Sequence, residues 1–268
     1  MTKRIIGSLI LKSGTVVQSI GFSRYLPVGS PEVAVEFLNQ WGVDEIVVLE
    51  IESGPDLALL RRLAAKSMVP LMMGGGVDSV ETMRAMVAGG ADKVCINRAA
   101  LKNPGLIAEA AAVLGSQCIV VSIDVVPGQE DEAQARAKAC AERGAGEILL
   151  RAVERDGSKR GYDVALVSKV AAAVRIPVIA AGGCGGAQHI AEAFAAGADA
   201  AAVGNMLHYT EHSITTLKAQ LKAMGVPVRL DTYATYAQTQ FDAEGRLRKQ
   251  DDAELEKLRF EYHAPETI

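Results

Sequence analysis

Apolar residues in this chain fall into short runs, separated by longer amphipathic stretches rich in alanine. The runs cover 4–10, 45–51, 69–73, 92–97, 117–124, 147–153, 176–181 and 198–204. The segments between them place apolar positions three and four apart and predict helices at 31–41, 56–66, 79–88, 104–114, 130–143, 163–174 and 187–196, with an eighth over 211–224. These units occupy about 225 residues, about 28 each, which is long enough for a crossover between parallel strands. A closed (β/α)₈ barrel is the economical architecture. The alternative, an open doubly wound sheet, would need edge strands more polar than these runs.

An internal repeat strengthens the barrel reading. The segment "VPLMMGGGVDSVETMRAMVAGGADKVCINRAA" at 69–100 aligns without a gap to "IPVIAAGGCGGAQHIAEAFAAGADAAAVGNML" at 176–207, an offset of 107. "WGVDEIVVLEIE" at 41–52 likewise matches "RGAGEILLRAVE" at 143–154, and "RIIGSLILKSG" at 4–14 matches "CIVVSIDVVPG" at 118–128. Three matched blocks in the same order imply two half-barrels of four strands each. The pattern stops near Asp231, so residues 1–230 are expected to form the barrel and 231–268 a C-terminal extension, with a short charged helix at 251–261.

Composition narrows the class. Low aromatic content (4%) with abundant Ala, Gly, Val and Ile suits a fold whose central strands are buried on both faces. A formal net charge of -4 gives no reason to expect nucleic acid, though local sites could still take small anions. Cys95, Cys118, Cys140 and Cys184 are far apart without paired metal spacing, and most of them read as buried thiols of a reducing compartment. No constellation suggests a metal or any other cofactor. No secretory pattern and no run of 18 apolar residues is present, so the expectation is a soluble cytoplasmic protein without a membrane span.

Barrel enzymes work at the C-terminal ends of their strands. There the repeat places Gly75 and Gly76 beside Asn97 and Arg98, and Gly182 and Gly183 beside Gly204 and Asn205. Glycine turns bring backbone N–H groups close to a ligand, and the helix N-termini that follow favour anions. Two phosphate sites related by pseudo-symmetry are therefore expected; the plainer reading is a pair of structural turns. Asp124 ends the fifth strand and is a candidate general acid or base, or else a cap for a neighbouring loop. Its repeat mate is Ile10, which transfers no proton. Glu50, Glu52, Glu154 and Asp156 are the nearby carboxylates that could stand in. Asp156-Gly157 reads as a turn and Asp163 as a helix cap, while Ser158, Lys159 and Arg160 could meet an anion or simply face solvent. At the opposite ends of the strands, Arg4, Glu45, Lys93 and Glu147 could form a neutral ring across the barrel floor, plugging the axis or gating a passage.

These segments, with "GAGEILLRAVERDGSKRGYD" at 144–163, resemble the cyclase subunit of imidazole glycerol phosphate synthase over residues 3 to about 230. The resemblance implies a (β/α)₈ barrel with a glutaminase partner on its floor. Ammonia from that partner crosses the barrel and reacts at the mouth with a doubly phosphorylated ribulosyl nucleotide. The family's acid–base pair falls on Asp124 and, in the first strand, on Ile10; its nearby lysine falls on Gln18, and the aspartate after its second strand on Glu50. Its hydroxyl after the fourth-strand asparagine falls on Arg98. The four gate residues are retained as Arg4, Glu45, Lys93 and Glu147, and a carboxylate facing the glutaminase as Asp92. This asymmetry resembles second-copy members of surface-polysaccharide pathways, in which a separate amidotransferase uses the ammonia to build an acetamidino sugar. The expectation is thus an ammonia-channelling subunit. The alternatives are a working cyclase of histidine biosynthesis, an activity on another phosphorylated sugar using Asp124 and Asp156, and a non-catalytic scaffold for a glutaminase.

Overall fold

The computed structural model describes residues 2–230 together with 248 and 253. The extension expected over 231–268, with its helix at 251–261, otherwise lies outside them. Eight parallel strands form the barrel: β1 (Arg4–Lys12), β4 (Glu45–Glu50), β5 (Leu71–Gly74), β6 (Lys93–Ile96), β7 (Ile119–Val125), β8 (Glu147–Ala152), β9 (Val178–Ala181) and β10 (Ala200–Val203). The sheet closes where β1 pairs with β10, Arg4 opposite Ala200 and Gly7 opposite Val203. Helices α1 (Pro31–Gln40), α2 (Leu57–Lys66), α3 (Val80–Ala88), α4 (Arg98–Lys102), α5 (Gly105–Leu114), α6 (Glu130–Glu142), α7 (Val164–Ala173), α8 (Ala187–Ala195) and α9 (Ser213–Ala223) follow the strands. The (β/α)₈ expectation is met. None of the helices among the described residues is long and apolar enough to cross a membrane.

Two elements go beyond the sequence reading. After β1 the chain turns through Ser13 and Gly14, both at positive φ (49° and 75°), into β2 (Thr15–Ile20). It returns as β3 (Arg24–Gly29), so an antiparallel hairpin extends the edge of β1. The short α4 is the other addition.

Strand alternation explains how the barrel is filled. Inward positions make one cluster that includes Ile6, Ile10, Val47, Leu49, Met72, Cys95, Val120, Leu149 and Ile179. Outward positions such as Ile5, Ile46, Val94 and Ile148 pack with the helices. Stepping two residues down from Ile6, Val47, Cys95 and Leu149 reaches Arg4, Glu45, Lys93 and Glu147 at the floor. Stepping two residues up from Cys95 and Leu149 reaches Asn97 and Arg151 at the mouth, and Asp124 lies on the same face of β7 as Val120.

The aspartate that precedes three of the strands has a structural purpose. Asp44, Asp92 and Asp199 each immediately precede a strand and accept the backbone N–H of Ile5, Leu71 and Val178 respectively, at 2.7, 2.8 and 3.1 Å. Each carboxylate therefore braces the start of one strand against the preceding one in the ladder. The fourth equivalent is Gly146, where a Cβ would lie 2.1 Å from Ser116 O, so backbone contact takes the place of the side chain.

Candidate functional site

On the floor, the four gate candidates do meet. Arg4 Nη1 lies 2.8 Å from Glu45 Oε2 and Nη2 lies 3.1 Å from Glu147 Oε1. Lys93 Nζ contacts the same two oxygens at 2.8 and 3.1 Å. Two cations thus bridge two anions in a closed, charge-neutral square. Burial pushes the Glu45 carboxyl above its ordinary value, against the pull of Lys93. Burial pulls the Arg4 guanidinium down, but Glu147 and Glu45 outweigh it and leave it raised. The other oxygens, Glu45 Oε1 and Glu147 Oε2, are buried without a hydrogen-bond partner among the described residues. Asp92 is exposed beside this ring, with one oxygen committed to Leu71.

At the mouth, Asp124 has three polar neighbours and is partly exposed. Asn97 Nδ2 donates to its Oδ2 at 2.7 Å, Ser122 Oγ to its Oδ1 at 3.4 Å, and Arg151 Nη1 lies 3.4 Å from Oδ1. Among the described residues, neither a hydrogen bond nor an ion pair joins Asp124 to a second carboxylate. Ile10 lines the cavity below the hairpin with Arg151 and Asp156. Glu50 is buried and accepts the Glu52 N–H at 3.0 Å, while Glu52 pairs with Lys12 and Ser13 on the rim.

Asp156 serves the hairpin. Its carboxylate accepts from Ser19 Oγ at 2.6 Å and from the Phe22 N–H at 3.4 Å, and its carbonyl accepts from the Gly21 N–H at 3.1 Å. Burial raises its pKa, partly offset by the Ser19 bond. Asn205 Nδ2 donates to Ser19 O from the other side. The hairpin is thereby fastened across the mouth. Phe22, at its tip, lies 4.7 Å from the Arg151 guanidinium.

The glycine turns are strained where expected. Gly75, Gly76, Gly182 and Gly183 all have positive φ, and a Cβ on Gly75 would lie 2.0 Å from Glu50 O. These positions therefore demand glycine for packing alone. The repeat mates Asn97 (φ -134°, ψ -91°) and Gly204 (φ -113°, ψ -95°) share one unusual backbone conformation that opens their respective helical turns. Gly182, Gly183, Gly204 and Asn205 line one cavity with Arg151. Arg98 is exposed, Lys159 lies over the Tyr209 ring at 4.5 Å, Ser158 Oγ accepts the Arg160 N–H at 3.2 Å, and Asp163 caps α7 through Leu166 N at 3.0 Å.

Arg151 is the mouth residue that the sequence reading passed over. The signal was available: a charged residue at an inward position of an apolar run, two after Leu149.

Residues 4–213 match the family model described as "Histidine biosynthesis protein". The chain belongs to this histidine biosynthesis family. Within it, the chain is 37% identical over 270 residues to imidazole glycerol phosphate synthase subunit HisF of Methanocaldococcus jannaschii, covering 86% of this chain and 99% of that one. It is 41% identical over 251 residues to HisF of Bacillus subtilis, covering 85% and 100%. A Vibrio vulnificus relative whose name carries the designation hisF2 is 38% identical over 263 residues, covering 91% and 97%. The fold is that of a HisF-type barrel.

Proposed function

We propose that this HisF-type barrel works with a glutaminase seated on its floor, admitting ammonia through the ring of Arg4, Glu45, Lys93 and Glu147. The observation that carries this reading is the closed ionic square with two buried, unpartnered carboxylate oxygens. Those oxygens can accept hydrogen bonds from ammonia as it leaves water, at a point where burial disfavours a bare charge. Above them the inward residues Ile6, Val47, Cys95, Val120 and Leu149 are apolar, which suits neutral ammonia rather than ammonium.

The names of the relatives support imidazole glycerol phosphate synthase, with closure of the imidazole ring at the mouth as the use of that ammonia. A specific observation favours a second reading. Asp124 is engaged by Asn97, Ser122 and Arg151, and the position across the barrel is Ile10, so the mouth lacks a free pair of proton-transfer groups. In that reading ammonia continues to a separate amidotransferase, of the kind that builds acetamidino sugars. None of these relatives' names speaks of that pathway, and it rests on the mouth alone.

One assay separates the two. The barrel and its glutaminase are combined with the histidine-pathway nucleotide and either glutamine or ammonium. Turnover at the level of an authentic synthase supports ring closure. Stimulated glutamine hydrolysis without ring closure, even with ammonium, supports delivery elsewhere. A glutaminase that neither binds nor responds overturns both.

A further inference from the structure

We propose that Arg151 is a ligand-selecting residue of the mouth: it takes the carboxylate of a small phosphorylated acid whose phosphate lies at the turns of Gly182–Gly183 and Gly204–Asn205. The proposal rests on the reading of those turns as a phosphate site.

Arg151 is 8% exposed, yet its guanidinium is poorly satisfied. Its polar contact is the single 3.4 Å approach of Nη1 to Asp124 Oδ1. A guanidinium placed only to neutralise a carboxylate would settle at about 2.7–2.9 Å, commonly through two nitrogens. Nε and Nη2 make no hydrogen bond among the described residues and are not among the fully buried unpartnered atoms, so they open onto the cavity and are available to an anion there.

The guanidinium is also held in place. Its 4.7 Å approach to the Phe22 ring favours a stacked cation, which is a preorganised fork for a planar carboxylate. Phe22 belongs to the hairpin that Asp156 fastens, so the fork is set when the hairpin is down. Asp156 itself shares the cavity but is already occupied by Ser19 and the Phe22 N–H. The enclosed part of the cavity is about 40 Å³, enough for one compact anionic group, and it opens to the mouth, so a longer ligand extends beyond it. Arg151 and the two glycine turns line that same space. A ligand bridging them presents phosphate at one end and carboxylate at the other.

Calorimetry with two probes tests this. Glycerol 3-phosphate carries the phosphate alone, and 3-phosphoglycerate adds the carboxylate. The wild-type protein should bind 3-phosphoglycerate about tenfold to a hundredfold more tightly. Arg151→Met should abolish that preference, and Arg151→Lys should keep part of it, having the charge without the fork. Asp124 retains Asn97 and Ser122 in both variants, so the fold should persist, checked by thermal melting. Equal binding of the two probes by wild type, or a preference that survives Arg151→Met, overturns the role of Arg151 alone. Failure of both probes to bind overturns the phosphate site and this proposal with it.

Discussion

Asp156, just beyond β8, accepts a 2.6 Å hydrogen bond from Ser19 Oγ, a residue 137 positions earlier in the chain. That contact turns an edge hairpin of β1 into a cover for the barrel mouth. Asp156→Ala removes it together with the Phe22 N–H bond. Amide hydrogen exchange over residues 15–29 should then accelerate by about tenfold, matching a loss of about 1–2 kcal/mol in local closing free energy.

The same carboxylate should give an inverted pH response. Burial raises its pKa in the folded state above the ordinary 3.8, so the folded protein holds the proton more tightly than the unfolded chain. Its contribution to stability is complete below that ordinary value and is lost as pH climbs through the raised one. Asp156→Asn abolishes this component. Comparing melting temperatures of wild type and variant across pH 4–7 should show their difference shifting in that direction; a difference independent of pH contradicts the assignment.

Removing Lys93 leaves Arg4 still bridging Glu45 and Glu147, so Lys93→Ala should fold, at a stability cost of about 1–3 kcal/mol by urea titration. In complex with a glutaminase it should alter the ratio of product formed to glutamine hydrolysed. An unchanged ratio would mean that ammonia takes another route.

Two glycines of the candidate phosphate turns should behave oppositely. Gly75→Ala combines a φ of 113° with a 2.0 Å approach to Glu50 O and should destabilise by more than about 2 kcal/mol. At Gly204 an added Cβ finds its nearest neighbour, Ser8 O, at 3.6 Å, and Asn97 shows that a side chain tolerates this backbone. Gly204→Ala should therefore melt within a few degrees of wild type while weakening inorganic phosphate binding, read by calorimetry.

Lys218 of α9 is 1% exposed and donates to Gly42 O at 2.6 Å and Asp44 Oδ1 at 2.7 Å. Lys218→Ala leaves Gly42 O without this donor and Asp44 Oδ1 with Arg229 Nε at 3.3 Å, and should cost about 3 kcal/mol in urea unfolding.

Much of this architecture is written in local pattern. Short apolar runs and the duplicated blocks placed all eight barrel strands, and their positions at strand starts put Arg4, Glu45, Lys93 and Glu147 together on the floor. Strand limits shifted where chemistry intervened: the run at 69–73 begins its ladder only at Leu71, because Pro70 has no N–H to donate. The hairpin was missed although Ser13-Gly14 between apolar runs is a turn signal, with both residues at positive φ. Contacts at the mouth were the least legible. Nothing local in the sequence says that Arg151 would approach Asp124, or that Asp156 would turn to Ser19 rather than serve as the missing carboxylate. Those pairings exist only once strands far apart in the chain become neighbours.

Closure of the barrel by β1 against β10 makes the first strand wait for the last. During synthesis, β1 has one edge without its native neighbour until nearly the entire chain has emerged, and a ribosome stalled before β10 leaves an open sheet with two sticky margins. Truncation there should therefore produce aggregates rather than a smaller soluble barrel, which makes the last barrel strand the quality-control point.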